Sequence, residues 1–153
     1  MRTAHRTASR AKRYQANPTS WATAIAANQD QQPEHATMIM NKIRVAFELL
    51  KTGTTDSAYF DRLASAFNVG LIRAASIDPL VEHSMRAGIE ALQNCDAIWQ
   101  RHKRYGFHGP DLEPVADAID VYEEILRNST PRMMEEAVNT AARRMLQQAR
   151  VSA

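Results

Sequence analysis

The sequence predicts an all-α protein, a single-domain helical bundle of about five helices around a long central helix, with a basic N-terminal arm. Three observations predict it. Apolar residues recur at three- and four-residue steps in five successive segments, the spacing that lines one face of a helix. Short stretches rich in helix start and stop residues separate those segments. No alternating apolar–polar run, hairpin signal or internal repeat interrupts them. Short connections imply antiparallel neighbours, hence a bundle. The chain divides into an arm, 1–32, and a bundle domain, 33–153.

The arm shows no sustained helical period. Asn17-Pro18 interrupts it, and a short turn from Ser20 to Ala27 sets Trp21 four residues before Ile25, close enough to dock together on the body. The first firm helix starts near Pro33 and runs to Lys51. Proline and Glu34 suit a first turn, and Gly53 suits the exit. Ile39, Ile43, Ala46, Phe47 and Leu50 form its apolar stripe.

Thr54 or Thr55 is the expected cap of the second helix, with Asp56 near its positive end. Tyr59, Leu63, Ala66, Phe67, Gly70, Leu71 and Ala74 make one apolar face, and Phe60, Val69 and Ile72 a second. Burial on two sides is expected. Pro79 ends this helix, because the residue before a proline avoids helical geometry.

The third helix is the expected centre. Asp78 caps it, Pro79 takes its first position and Gly106 ends it. Val81, Met85, Gly88, Leu92, Cys95 and Trp99 fall on one stripe. At 1.5 Å per residue it spans roughly 40 Å. The fourth helix is expected to begin at Asp111 as cap, with Pro114 in its first turn and Val115, Ala118, Ile119, Tyr122 and Leu126 inward. Thr130-Pro131 opens the fifth, with Met134, Ala137, Val138, Ala141 and Met145 inward and fraying from Ala149.

Length, composition and charge narrow the function. A chain of 153 residues can bury a real core. No apolar run reaches the roughly 18–20 residues of a membrane span, and the N-terminus has no secretory apolar stretch. A cytoplasmic protein with no membrane partner is expected. One cysteine, Cys95, forms no internal disulfide, and its place on the apolar stripe implies a buried, inert thiol. The net charge of +2 hides an asymmetry. Five cations and no acid occupy the first 13 residues, and the remainder carries 14 basic and 17 acidic residues, a net of −3.

No catalytic or phosphate-binding motif is present, so the protein is read as no enzyme, with no cofactor and no metal. His102 and His108 flank the end of the third helix among cations, which oppose a metal and favour the helix C-terminus. Two charged groups remain. Arg10, Lys12 and Arg13 of the arm and Arg101, Lys103 and Arg104 can contact a phosphate backbone, with Tyr14, Tyr105 and Phe107 interleaved to stack on bases. Glu113, Asp117, Asp120 and Glu124 recur at steps of four, three and four, an acidic stripe that can dock on a basic partner or simply face solvent.

The ordered segments Asn17-Pro18, Glu48-Leu49-Leu50-Lys51-Thr52-Gly53, Leu63-Ala64-Ser65-Ala66-Phe67-Asn68-Val69, Ala87-Gly88-Ile89-Glu90-Ala91-Leu92, Tyr105-Gly106-Phe107 and Met134-Glu135-Glu136-Ala137 carry a resemblance. The chain resembles uncharacterised small helical proteins of bacterial prophages and mobile elements, over roughly residues 12–145. The resemblance implies a phage or mobile-element setting and supplies no catalytic residue. The resulting expectation is a small non-enzymatic protein that binds and modulates a host macromolecular complex, such as a defence system. The alternative is a nucleic-acid-binding accessory or regulatory protein that uses the arm and residues 101–104. A homodimer also fits, since long helices leave apolar faces to share.

Overall fold

Proline at its head and glycine at its tail delimit the first helix. The computed structural model describes residues 33–152, and there α1 runs Pro33–Thr52. It buries Ala36, Met40, Ile43, Ala46, Phe47 and Leu50 along one face. Gly53 takes the left-handed φ of 94° and donates its N–H to the carbonyls of Leu49 and Leu50, closing the last turn.

α2, Ser57–Ala74, is capped by Asp56 and not by either threonine. The carboxylate of Asp56 accepts the Ala58 N–H at 2.9 Å, and Thr54 Oγ1 accepts the Asp56 N–H at 3.1 Å. Thr54 therefore braces the capping residue. A carboxylate next to the positive end of the helix is the stronger cap, which explains the one-step shift.

α3, Pro79–His102, opens as expected, with the Asp78 carboxylate accepting the Leu80 N–H at 2.7 Å. Its end differs from expectation. Lys103, not Gly106, enters the left-handed region (φ 55°, ψ 30°) and donates its N–H to Trp99 O at 2.7 Å. The place of Tyr105 imposes the early stop. Its N–H donates to Thr54 O at 2.8 Å, and its ring packs into the core. Chain reversal must be complete before residue 105.

α4, Gly109–Arg127, begins three residues earlier than the Asp111 cap implied. His108 holds the cap position without a side-chain bond, and Asp111 lies inside the first turn. The Asp111 carboxylate accepts Asn94 Nδ2–H at 3.2 and 3.3 Å instead, tying α4 to α3. Pro114 consequently sits in the second turn, where its missing N–H leaves the Pro110 carbonyl without its helical donor. α5, Pro131–Ser152, is capped by Thr130, whose Oγ1 accepts the Met133 N–H at 3.0 Å, and it continues through the stretch expected to fray.

The described residues thus form an all-α bundle with no strand beyond a single bridge, Thr54 to Tyr105. α3 and α4 share the most extensive contact, whereas α2 packs on each of the other four helices. The pivotal position falls to α2 because it is apolar on two sides. Leu63, Ala66, Phe67, Gly70 and Ala74 are buried on one, and Val69 on the other. Phe67, Leu50, Leu63, Met85, Ile119 and Ile125 fill the centre. Gly88 lets α3 approach α4 closely, since a Cβ there would overlap that of Ala118. The turn between α4 and α5 is pinned to the end of α2, where Arg73 Nε donates to the buried Ser129 Oγ at 3.1 Å.

Candidate interaction surfaces

The basic cluster sits at the end of α3, and its parts do different things. Arg101, His102, Lys103 and Arg104 are all exposed. Lys103 Nζ lies 4.5 Å from the centroid of the Trp99 ring, a cation–π contact. Arg104 donates from NH2 toward the carbonyls of Thr52 and Gly53 at 3.4 and 3.5 Å, at the C-terminal end of α1. Arg101 and His102 occupy the last turn of α3, where positive charge favours the helix end. Arg10, Lys12, Arg13 and Tyr14 lie outside the described residues.

Of the aromatic groups expected to stack on bases, Tyr105 and Phe107 are packing groups. Tyr105 is 6% exposed and lies between Phe60 (centroids 5.2 Å, interplanar 12°) and Trp99 (5.8 Å, 23°). Neither ring face is open to a nucleobase. Loss of water pushes its phenol above the ordinary value of 10.0, with further upward pressure from Asp61 and Asp96. Phe107 is half-buried and meets Phe47 edge to face at 5.7 Å. This aromatic layer ties the end of α3 to α1 and α2.

The acidic stripe is divided by burial. Glu113 is exposed, Asp117 and Glu124 are half-buried, and Asp120 is buried. Asp120 Oδ1 accepts from both terminal nitrogens of Arg44 on α1 at 3.4 Å. Arg44 also reaches Glu123 Oε1 at 2.6 Å, and Glu123 Oε2 pairs with Arg127 at 2.9 Å. Arg127 in turn donates to Thr37 Oγ1 at 3.3 Å. Burial raises the Glu123 carboxyl, but hydrogen bonds and charge from Arg44 and Arg127 outweigh it and hold the group below its ordinary 4.5. The network is a clasp between α1 and α4. Sequence reasoning missed Arg44 and Glu123, although a signal was there. Asp120 stands within Ala118-Ile119-Asp120-Val121-Tyr122, where a carboxylate among core residues requires a cationic or hydrogen-bonding partner.

Cys95 is buried, and loss of water raises its thiol to about 11 despite a backbone hydrogen bond from Gly106. It stays protonated at neutral pH. Among the described residues, no group of three or more His, Cys, Asp or Glu is placed to hold a metal, and no helix is long and apolar enough to cross a membrane.

What the surface does offer is apolar side chains on outer helix faces. Met38 and Val45 lie seven residues apart on α1, 54% and 53% exposed, with Lys42 between them. On α5, Val138, Met145 and Leu146, expected inward in part, are 50%, 64% and 64% exposed. The stripe was read with the right period, but Met145 lies in the half of α5 that has no bundle beside it, and Val138, next to the buried Ala137, falls on the outer side of the half that does. Comparison with protein-family models, curated proteins and solved structures finds no match for this chain.

Proposed function

We propose that this chain is a small phage or mobile-element protein that acts by docking on a host protein complex, without catalysing a reaction. The observation that carries the reading is the outer face of α1, where Met38 and Val45 expose apolar surface beside Lys42. Apolar side chains one heptad apart on a stable helix present a ready contact for another protein. The helix beneath them is held rigid by its buried side and by the Arg44 clasp, so docking costs little ordering. The resemblance to prophage and mobile-element proteins supports the setting. The acidic positions Glu113, Asp117 and Glu124 on the neighbouring helix add charge for a basic rim, while Asp120 belongs to the clasp.

The test is affinity purification from host cells with half of the sample treated with nuclease. A protein partner retained in both halves, and lost with Met38→Glu plus Val45→Glu, is the expected result. The second reading, nucleic-acid binding, draws on the exposed cations Arg101, Arg143, Arg144 and Arg150. It requires a partner that disappears with nuclease, and purified protein whose binding to DNA or RNA weakens steeply with salt as counterions are released. That outcome replaces the first reading.

A further inference from the structure

α4 is covered on more sides than its apolar stripe accounts for. Ala118, Ile119, Asp120, Val121 and Tyr122 are all buried, a run longer than one full turn. At about 100° per residue, Asp120 lies roughly 140° round from the middle of the inward stripe, and Val121 roughly 120° round the other way. Arg44 of α1 meets the Asp120 side, and Gly88 of α3 meets Ala118 on the Val121 side. Between α1 and α3, Glu113, Asp117 and Glu124 share the side opposite the stripe, and the last two are half-buried there.

We propose that the chain's own N-terminal arm lies along this outer side of α4, with Trp21 and Ile25 packed beside Val121 and with Arg10, Lys12 and Arg13 against Glu113 and Asp117. The place where the arm joins argues for it. α1 is antiparallel to α4, since Thr37 lies against Arg127 and Arg44 against Asp120. Pro33 therefore stands at the C-terminal end of α4, and Asn28 to Gln32 suffice to turn the chain back along that helix. Register argues for it too. Arg13 stands eight residues before Trp21, and Glu113 eight before Val121. The second interval is about 12 Å along α4, and the first spans about 12 Å if helical and about 26 Å if extended. An arm with Trp21 level with Val121 thus brings Arg13 and Lys12 to Glu113 and Asp117. Charge complementarity is the third argument. The first 13 residues hold five cations and no acid, whereas this side of α4 is acidic. The ion pairs select the register, and burial of Trp21 and Ile25 supplies most of the free energy, because partly exposed pairs are worth little.

The arm's cations are then held by the body and withdrawn from a phosphate backbone. A partner's basic rim must compete with them for Glu113 and Asp117. The apolar contact at Met38 and Val45 is separate, because these residues lie about 100° further round α1 from Thr37 and Arg44, and different substitutions test it.

Zero-length carbodiimide coupling reads the contact in the native full chain. Lys12 is the one lysine of the arm. In the monomer it should couple to Glu113 or Asp117 in preference to the exposed Glu34, Glu48 and Glu135. Proteolysis follows the fraction of chains in which a segment is open, so tryptic cleavage after Lys12 and Arg13 should be several-fold faster in Glu113→Gln with Asp117→Gln. The helical circular dichroism of that variant should be unchanged. Hydrogen exchange at 20–27 should quicken in Trp21→Glu with Ile25→Glu, and also when Arg10, Lys12 and Arg13 are all replaced by Glu. Adding Glu113→Arg with Asp117→Arg to the latter should restore protection. Lys12 coupling spread evenly over exposed carboxylates or confined to cross-linked dimers, unprotected amides at 20–27 in the native chain, or cleavage indifferent to the glutamine substitutions overturns the proposal.

Discussion

Arg44 and Asp120 stand 76 residues apart in the chain and 3.4 Å apart in the fold. The Asp120 side chain is 7% exposed, whereas the Arg44 side chain is 45% exposed. The cation thus lies over the carboxylate like a lid, with its outer side in water. Removing a cation from a buried carboxylate is costly because the remaining charge loses its compensation. Arg44→Ala should destabilise the protein by about 1–3 kcal/mol, less than a fully buried pair because water can reach part of the site. Denaturant unfolding measures it. A loss within the range of ordinary surface substitutions, about 0.5 kcal/mol, would show that α1 and α4 do not depend on the clasp.

Glu123 makes the same clasp sensitive to acid. Its folded carboxyl titrates below the ordinary 4.5, because Arg44 and Arg127 outweigh the upward effect of burial. A depressed carboxyl contributes stability that is present above its unfolded value and is lost as pH falls through the folded value. The difference in unfolding midpoint between the native chain and Glu123→Gln should therefore be constant near neutrality and shrink as pH falls below 4.5. A difference that grows in acid would reverse the assignment.

Gly88 sets the distance between α3 and α4. A Cβ at this position would overlap that of Ala118 and come within 3.1 Å of the Phe67 ring. Both neighbours are buried, so neither can move aside cheaply. Gly88→Ala should destabilise by about 1–2 kcal/mol, even though alanine gains roughly 1 kcal/mol over glycine in a helix. Pairing it with Ala118→Gly should recover part of the loss in the same unfolding assay.

Two glycines near chain reversals should respond oppositely. Gly53 has a φ of 94°, and a Cβ there would meet the Arg104 guanidinium at 2.5 Å. Gly53→Ala should cost more than about 1 kcal/mol through backbone strain. Gly106 has nothing within 4 Å of a Cβ and no left-handed φ, so Gly106→Ala should stay within about 0.5 kcal/mol of the native chain. Equal losses at both would mean that Gly106 does terminate α3.

Local chemistry explains what was legible in the sequence. The five helices, the Asp78-Pro79 start of α3, the Gly53 exit of α1 and the inward positions of α4 depend on spacing and on contacts a few residues apart. A stripe of Val115, Ala118, Ile119, Tyr122 and Leu126 can point only one way once the helix forms, and all five are buried. The candidate surfaces were less legible, because a side chain's availability depends on what packs beside it. Tyr105 and Asp120 read as surface groups in the sequence and are buried in the fold, one between Phe60 and Trp99 and one beneath Arg44. Val138 and Met145 read as core and are exposed, Val138 because it falls on the outer side of α5 beside the buried Ala137, and Met145 because it lies in the stretch from 142 to 151 where every residue is exposed.

The sequence by itself determined the helices, their order and the period of each apolar face, since these depend on backbone geometry and neighbours within about four residues. Only the tertiary structure decided that α2 meets every other helix, that Lys103 ends α3, and that Arg44 joins Asp120 and Glu123. Each depends on which segments meet across the bundle. Periodicity states which residues share a face, while the length and placement of neighbouring helices determine which face is covered and which is left exposed.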